Sequence, residues 1–192
     1  MNPGYSYSVV EAALARVFGA DAAAQKGAFR GRLKHLQHLG LPSGGPGRGR
    51  KIRYNYAQIV DWMVALELEE FGIDPTLAVR MVTGRTGPTQ EVNAAWKNYL
   101  PKVIAAARKS PGGDDDVILL VEPYFMSASW RGDRRFDPAT FRRLTLGEAG
   151  IRELKALLGG WGTGISQRAC AFNISERLRV LDAGLLSQAG EQ

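Results

Sequence analysis

Arg48, Arg50, Lys51 and Arg53 are crowded into the segment Ser43-Gly44-Gly45-Pro46-Gly47-Arg48-Gly49-Arg50-Lys51-Ile52-Arg53-Tyr54. Guanidinium and ammonium groups at this density bind polyanions: arginine presents a planar fork that matches phosphate oxygens, and lysine acts as a point charge. The glycines and proline favour a tight turn, and Lys51 to Tyr54 reads as a short extended run, so the segment resembles a basic β-hairpin. A flexible Gly-Arg loop that grips RNA without sequence preference is the competing reading. No Lys-Ser or Lys-Thr follows the glycines, so this is not a nucleotide-binding phosphate loop. A second set of cations, Lys26, Arg30, Arg32, Lys34 and His35, lies just upstream. Phe29, Leu33, Leu36 and Leu39 recur there at helical spacing and leave the polar side chains elsewhere around the helix. A helix with an apolar back and a hydrogen-bonding cationic front suits a DNA major groove, where arginine reads guanine edges. The plainer alternative is a solvated basic face.

Charge placement separates these readings better than net charge does. The chain has 192 residues, a formal charge of +6 and a pI near 9.7. Residues 1–56 hold nine Lys and Arg against two acids, Glu11 and Asp21; the rest holds sixteen basic and seventeen acidic side chains. The whole excess therefore sits in the first third, inside patterned sequence, which favours a nucleic-acid face. A hydrophobic fraction of 45% supports a folded core. No apolar run is long enough to span a membrane, and the first residues do not read as a signal peptide. One cysteine, Cys170, gives no internal disulfide and fits a reducing cytoplasm.

The elements that must hold these cations follow from periodicity and caps. Ser8 with Glu11 reads as a capping box opening a helix with Val10, Ala13, Leu14 and Val17 on its buried face, stopped by Gly19. The basic helix covers about Gly27 to Leu39, with Gly40 as its C-cap and Pro42 beyond; Ala20 to Lys26 is ambiguous. Tyr56 to Phe71 is a helix with Ile59, Trp62, Met63, Leu66 and Phe71 buried and Glu67, Glu69 and Glu70 outward. Gly72 stops it, and Asp74-Pro75 starts a short helix with Leu77, Ala78, Met81 and Val82 inward. Thr89 to Arg108 forms a helix that Pro101 kinks or splits.

Ser110 to Asp116 reads as a boundary with a solvated acidic run. After it come a strand at Val117 to Val121, extended by Tyr124 to Met126, a turn at Trp130 to Asp133, and an undecided stretch from Phe136 to Leu146. A helix capped by Thr145 ends at Gly159-Gly160. A strand follows over Arg168 to Ile174, and a last helix is capped by Ser175 with Leu178, Leu181 and Leu185 buried. No acid-base pair or nucleophile constellation stands out, so the chain is not read as an enzyme. His35 and His38 have no cysteine or carboxylate beside them in sequence and basic neighbours, so no metal site or cofactor is read there.

Gly40-Leu41-Pro42, then Arg53-Tyr54, then Ile59 and Trp62, then Gly72-Ile73 stand in the order and spacing of the MerR family, whose DNA-binding domain residues 5–85 resemble. In that family these positions are the end of the helix-turn-helix, the end of the wing, the anchors of the next helix and a Gly-Phe pair. Gln58 stands where the family commonly has Asp, and Lys34-His35 where it has a paired-tyrosine segment. The resemblance implies an N-terminal winged helix-turn-helix (1–85); with a connecting or dimerisation helix and linker (86–113) and the small α+β dimerisation or sensor domain (114–192) read from the pattern beyond it, the expected fold is α+β, mainly α. It implies a dimeric, cytoplasmic, nucleoid-associated transcriptional regulator of double-stranded DNA. Lys26, Arg30, Arg32, Lys34, His35, Arg48, Arg50, Lys51, Arg53 and Tyr54 are the expected contact residues. The C-terminal part leaves room for a small-molecule or protein effector. An architectural or recombination accessory factor, or a phage DNA-packaging protein, satisfies the same basic pattern.

Overall fold

The computed structural model describes residues 4–42, 52–83, 85–86, 91–92, 94–121, 141–145, 147–160 and 170–189. Arg48, Arg50 and Lys51, the expected strand extension at 124–126 and the turn at 130–133 lie outside these residues. The described elements are mainly helical with a small antiparallel sheet. The chain divides into two compact units, 1–83 with 177–192, and 84–176. This differs from the expected division. The last helix belongs with the N-terminal unit, and the helix read as a connector lies inside the second unit.

The first unit begins with α1 (Tyr7–Val17) and α2 (Ala23–His38). Ser6, not Ser8, is the N-cap of α1, and its side chain caps nothing. Glu11 is therefore free of the expected capping box and pairs elsewhere. Gly19, at φ 62°, closes α1, and the Ala20 amide donates to the Ala15 carbonyl (2.7 Å). The alanines before Gly27 join α2, which starts earlier than the bracketing glycines suggested. Gly40 (φ 95°) ends it, with the Leu41 amide donating to the Leu36 carbonyl (3.0 Å).

Helix α3 (Tyr56–Glu70) is the centre of this unit. Asn55 and Gln58 form a reciprocal capping box at its start. Ile59, Trp62, Met63, Val64, Ala65, Leu66 and Leu68 are all fully buried. Of the expected outward acidic face, Glu70 is exposed, the Glu69 side chain is largely covered and Glu67 is inside. Glu67 is 3% exposed, because Arg177 of the last helix, α7 (Ile174–Ala189), pairs with it. Arg177 also donates to the Val17 carbonyl at the end of α1 (2.8 Å) and stacks over Phe18. Further along α7, Gly184 approaches Ala13 so closely that an added Cβ would lie 3.1 Å from its Cα. Helix α4 (Pro75–Thr83), whose start is capped by the Asp74 carboxylate accepting from the Leu77 amide, packs against α3.

The second unit contains a two-strand ladder, β1 (Arg85–Thr86) with β2 (Glu91–Val92), then α5 (Ala94–Lys109) running through Pro101. Residues 91–92 thus extend into a strand where the sequence suggested helix. Strands β3 (Val117–Val121), β4 (Phe141–Thr145) and β5 (Cys170–Asn173) form an antiparallel sheet in the order β4-β3-β5. Ile118 pairs with Leu144 on one side and Asn173 on the other. Helix α6 (Glu148–Gly160) follows β4, and Gly150 sits where a Cβ would come within 1.8 Å of the Thr145 carbonyl. Thr145 lies in the strand and does not cap α6.

The acidic run also departs from expectation at its last member. Asp116 is 3% exposed and accepts hydrogen bonds from Ser110 Oγ (2.9 Å) and Asn173 Nδ2 (2.8 Å). Ser175, expected to cap the last helix, is buried; its Oγ accepts from the Val117 amide and donates to the Ala107 carbonyl. Asn173 takes the capping role through its Oδ1 and the Glu176 amide (2.9 Å).

Candidate nucleic-acid interface

Helix α2 buries Phe29, Leu33 and Leu36. With 3.6 residues per turn, Gly27, Gly31, Lys34 and His38 then share the opposite side. All four are exposed. Nothing lies within 4 Å of a Cβ built on Gly27 or Gly31. No element among the described residues covers this front.

The two arginines of α2 stand on its flanks, and each is held by acids. Arg30 Nε donates to both carboxylate oxygens of Glu11 (2.9 and 3.0 Å), and Nη2 approaches Oε1 at 2.8 Å. That hydrogen bond, with the carboxylate charge behind it, pushes the Arg30 pKa further up. On the other flank, Arg32 donates through Nε and Nη2 to Glu69 Oε2 (3.1 and 3.0 Å) and through Nη1 to Glu70. Burial works against the Arg32 charge, but the hydrogen bonds to Glu70 and Glu69 outweigh it and its pKa rises. His35 shares this flank and is exposed. The side chains of Lys26, Lys34 and His38 have no hydrogen bond or ion pair among the described residues.

The described end of the basic segment is anchored to the N-terminus. Tyr5 and Tyr54 exchange backbone hydrogen bonds (2.8 and 2.9 Å) in an isolated antiparallel bridge. Gly4, at φ 72°, allows this approach, since a Cβ there would lie 3.1 Å from Arg53 Cβ. Ile52 and Arg53 are exposed. Tyr54, expected to touch the ligand, is instead 3% exposed and packs on Trp62 (ring centroids 5.1 Å apart) and Tyr7. Its hydroxyl accepts a hydrogen bond from Gln37 Nε2 of α2 (3.1 Å). It is a strut between the basic segment and the basic helix, because an aromatic ring beside two others gains more from burial than from exposure.

Of the ten expected contact residues, then, Lys26, Lys34 and Arg53 are exposed and not held by an acid. Arg30 and Arg32 are paired with carboxylates, His35 is exposed on the flank of Arg32, Tyr54 is inside, and Arg48, Arg50 and Lys51 lie outside the described residues. His38, considered in the sequence only for its metal-ligand spacing to His35, is exposed on the side of α2 opposite Phe29, Leu33 and Leu36.

Among the described residues no group of His, Cys, Asp and Glu could hold a metal ion, and no helix is long and apolar enough to cross a membrane. The second unit has a cavity of about 210 Å³ between the sheet and α6, lined by Ile118, Leu120, Leu144, Ile151 and Leu154 among others. No protein-family model matches the chain, and no curated protein matches it.

Proposed function

We infer that the first unit binds double-stranded DNA, with α2 entering the major groove and the basic segment 44–54 lying on the backbone as a wing. The protein would act as a dimeric, MerR-like transcriptional regulator. The observation that carries this reading is the uncovered front of α2, where Lys34 and His38 stand free beside two bare glycines, on a helix tied through Gln37 and Tyr54 to the basic segment. Cations on a helix front and on an adjoining ribbon supply phosphate contacts, and the helix front supplies base contacts. Two-fold symmetry in a dimer implies an inverted-repeat site.

Anisotropy titration of a labelled duplex tests the reading directly. About six to nine phosphate contacts per dimer give a slope of log K against log salt of roughly −5 to −8. A salt-independent interaction, or none, would remove the DNA reading. Sedimentation velocity checks the dimer, and a genome-wide map of bound sites identifies the sequence that is read.

A further inference from the structure

We propose that α2 divides its charged side chains by role: Arg30 and Arg32 are positioning residues that set the helix against its neighbours, while Lys34 and His38 on the front meet the DNA. This assignment rests on the DNA reading above and goes further, because it withdraws from the interface the two arginines best suited chemically to read bases.

Arg30 commits its Nε and Nη2 donors to Glu11. Its partner Glu11 is only 9% exposed, so moving the guanidinium to a phosphate would strand a nearly buried carboxylate without its cation, and such a loss is costly. Arg32 spans Glu69 and Glu70, and the Glu69 side chain is itself only 9% exposed. Any phosphate approaching Arg32 would also approach those two carboxylates. The two pairs instead bolt α2 to α1 on one flank and to the end of α3 on the other. Rotation of α2 about its axis would break one pair or the other, so together they fix which side of the helix faces outward. That side carries Lys34 and His38, whose donors are unclaimed, and Gly27 and Gly31, where no side chain holds a ligand away from the helix.

The experiment uses the full chain and a labelled mixed-sequence duplex of about 30 base pairs, titrated between about 50 and 200 mM salt. Every variant is measured where circular dichroism shows it fully folded, so a loss of stability alone does not register. Arg30→Gln and Glu11→Gln are each expected to weaken binding by about three- to tenfold with no change in salt slope, the size of effect expected when one ion pair is lost. The charge swap Glu11→Arg with Arg30→Glu should recover affinity, because the bolt is remade with its polarity reversed. Lys34→Ala should lower the slope by about one per subunit, as for a lost phosphate contact. The assignment is overturned if Arg30→Gln lowers the slope, or if Glu11→Gln strengthens binding by releasing Arg30. If the swapped protein does not fold, the sign of the Glu11→Gln effect decides alone. Wild-type protein that fails to bind the duplex removes the DNA reading itself, whereas wild-type binding combined with a lowered Arg30→Gln slope removes only the division of roles.

Discussion

Helices α2 and α3 belong to the same unit and are nearly equal in length, yet they bury themselves in opposite ways. Nine residues of α3 are buried, including Glu67, against three of α2. Helix α3 is apolar nearly all round because α4 packs on it and Arg177 of α7 closes over it, and such a helix is core. Helix α2 has one narrow apolar stripe, two acid-tethered flanks and a front with nothing on it. α3 derives its stability from packing, whereas α2 leaves a surface unused by the fold. Under the DNA reading proposed above, that front with its free cations and glycines is the ligand surface, whereas α3 has most of its residues buried against its own chain.

The largest effect that would sharpen this contrast comes from α3. Trp62→Ala empties a fully buried site and should cost about 3–5 kcal/mol in urea unfolding. A loss below about 1 kcal/mol would mean that α3 is not the centre of the unit.

Asp61, also on α3, gives this core helix a pH signature. It has no hydrogen bond or ion pair among the described residues, and burial pushes its carboxyl from 3.8 up to about 7. The folded state therefore keeps a proton that the unfolded chain releases, so this group's contribution to stability falls as pH rises through that window. Asp61→Asn should flatten the decline and be worth about 2–4 kcal/mol above the upper end of the window. Parallel denaturation curves at mildly acidic and mildly alkaline pH give the comparison, and identical slopes in both proteins would point to a partner for the carboxylate.

Smaller changes bear on the ends and the front. Removing the α3 cap by Asn55→Ala should cost about 1 kcal/mol by thermal unfolding. Gly31→Ala should have the opposite sign for the fold and for the ligand. It relieves an exposed mid-helix glycine, gaining about 0.5–1 kcal/mol in stability, while placing a methyl group on the front and weakening duplex binding. If Gly31→Ala stabilises the protein without touching DNA affinity, the front is not the contact surface.

Local signals were legible where the physics is local. The stops at Gly19, Gly40 and Gly72 need only a left-handed residue after a helix, and Asp74-Pro75 needs only a cap and a fixed φ; each stands where periodicity placed it. Of three caps that misled, Thr145 is the last residue of β4, and the other two failed because a side chain capable of capping was claimed from a distance. Glu11 is held by Arg30, nineteen positions away, and Ser175 by Val117 and Ala107. The same cause explains the candidate site. Spacing alone put Arg30, Arg32 and Lys34 on one cationic helix, but it carried no information about which acids would come back to meet them.

What the sequence determined by itself is the position of the positive charge and the helical period that gives α2 an inside and an outside, since both depend on neighbours a few residues apart. What only the tertiary structure decided is which of those charges remain available. Glu11, Glu69, Glu70 and Arg177 reach their partners across α1, α3 and α7, and ion pairing between elements distant in the chain is set by how the helices pack, which no local pattern of residues encodes.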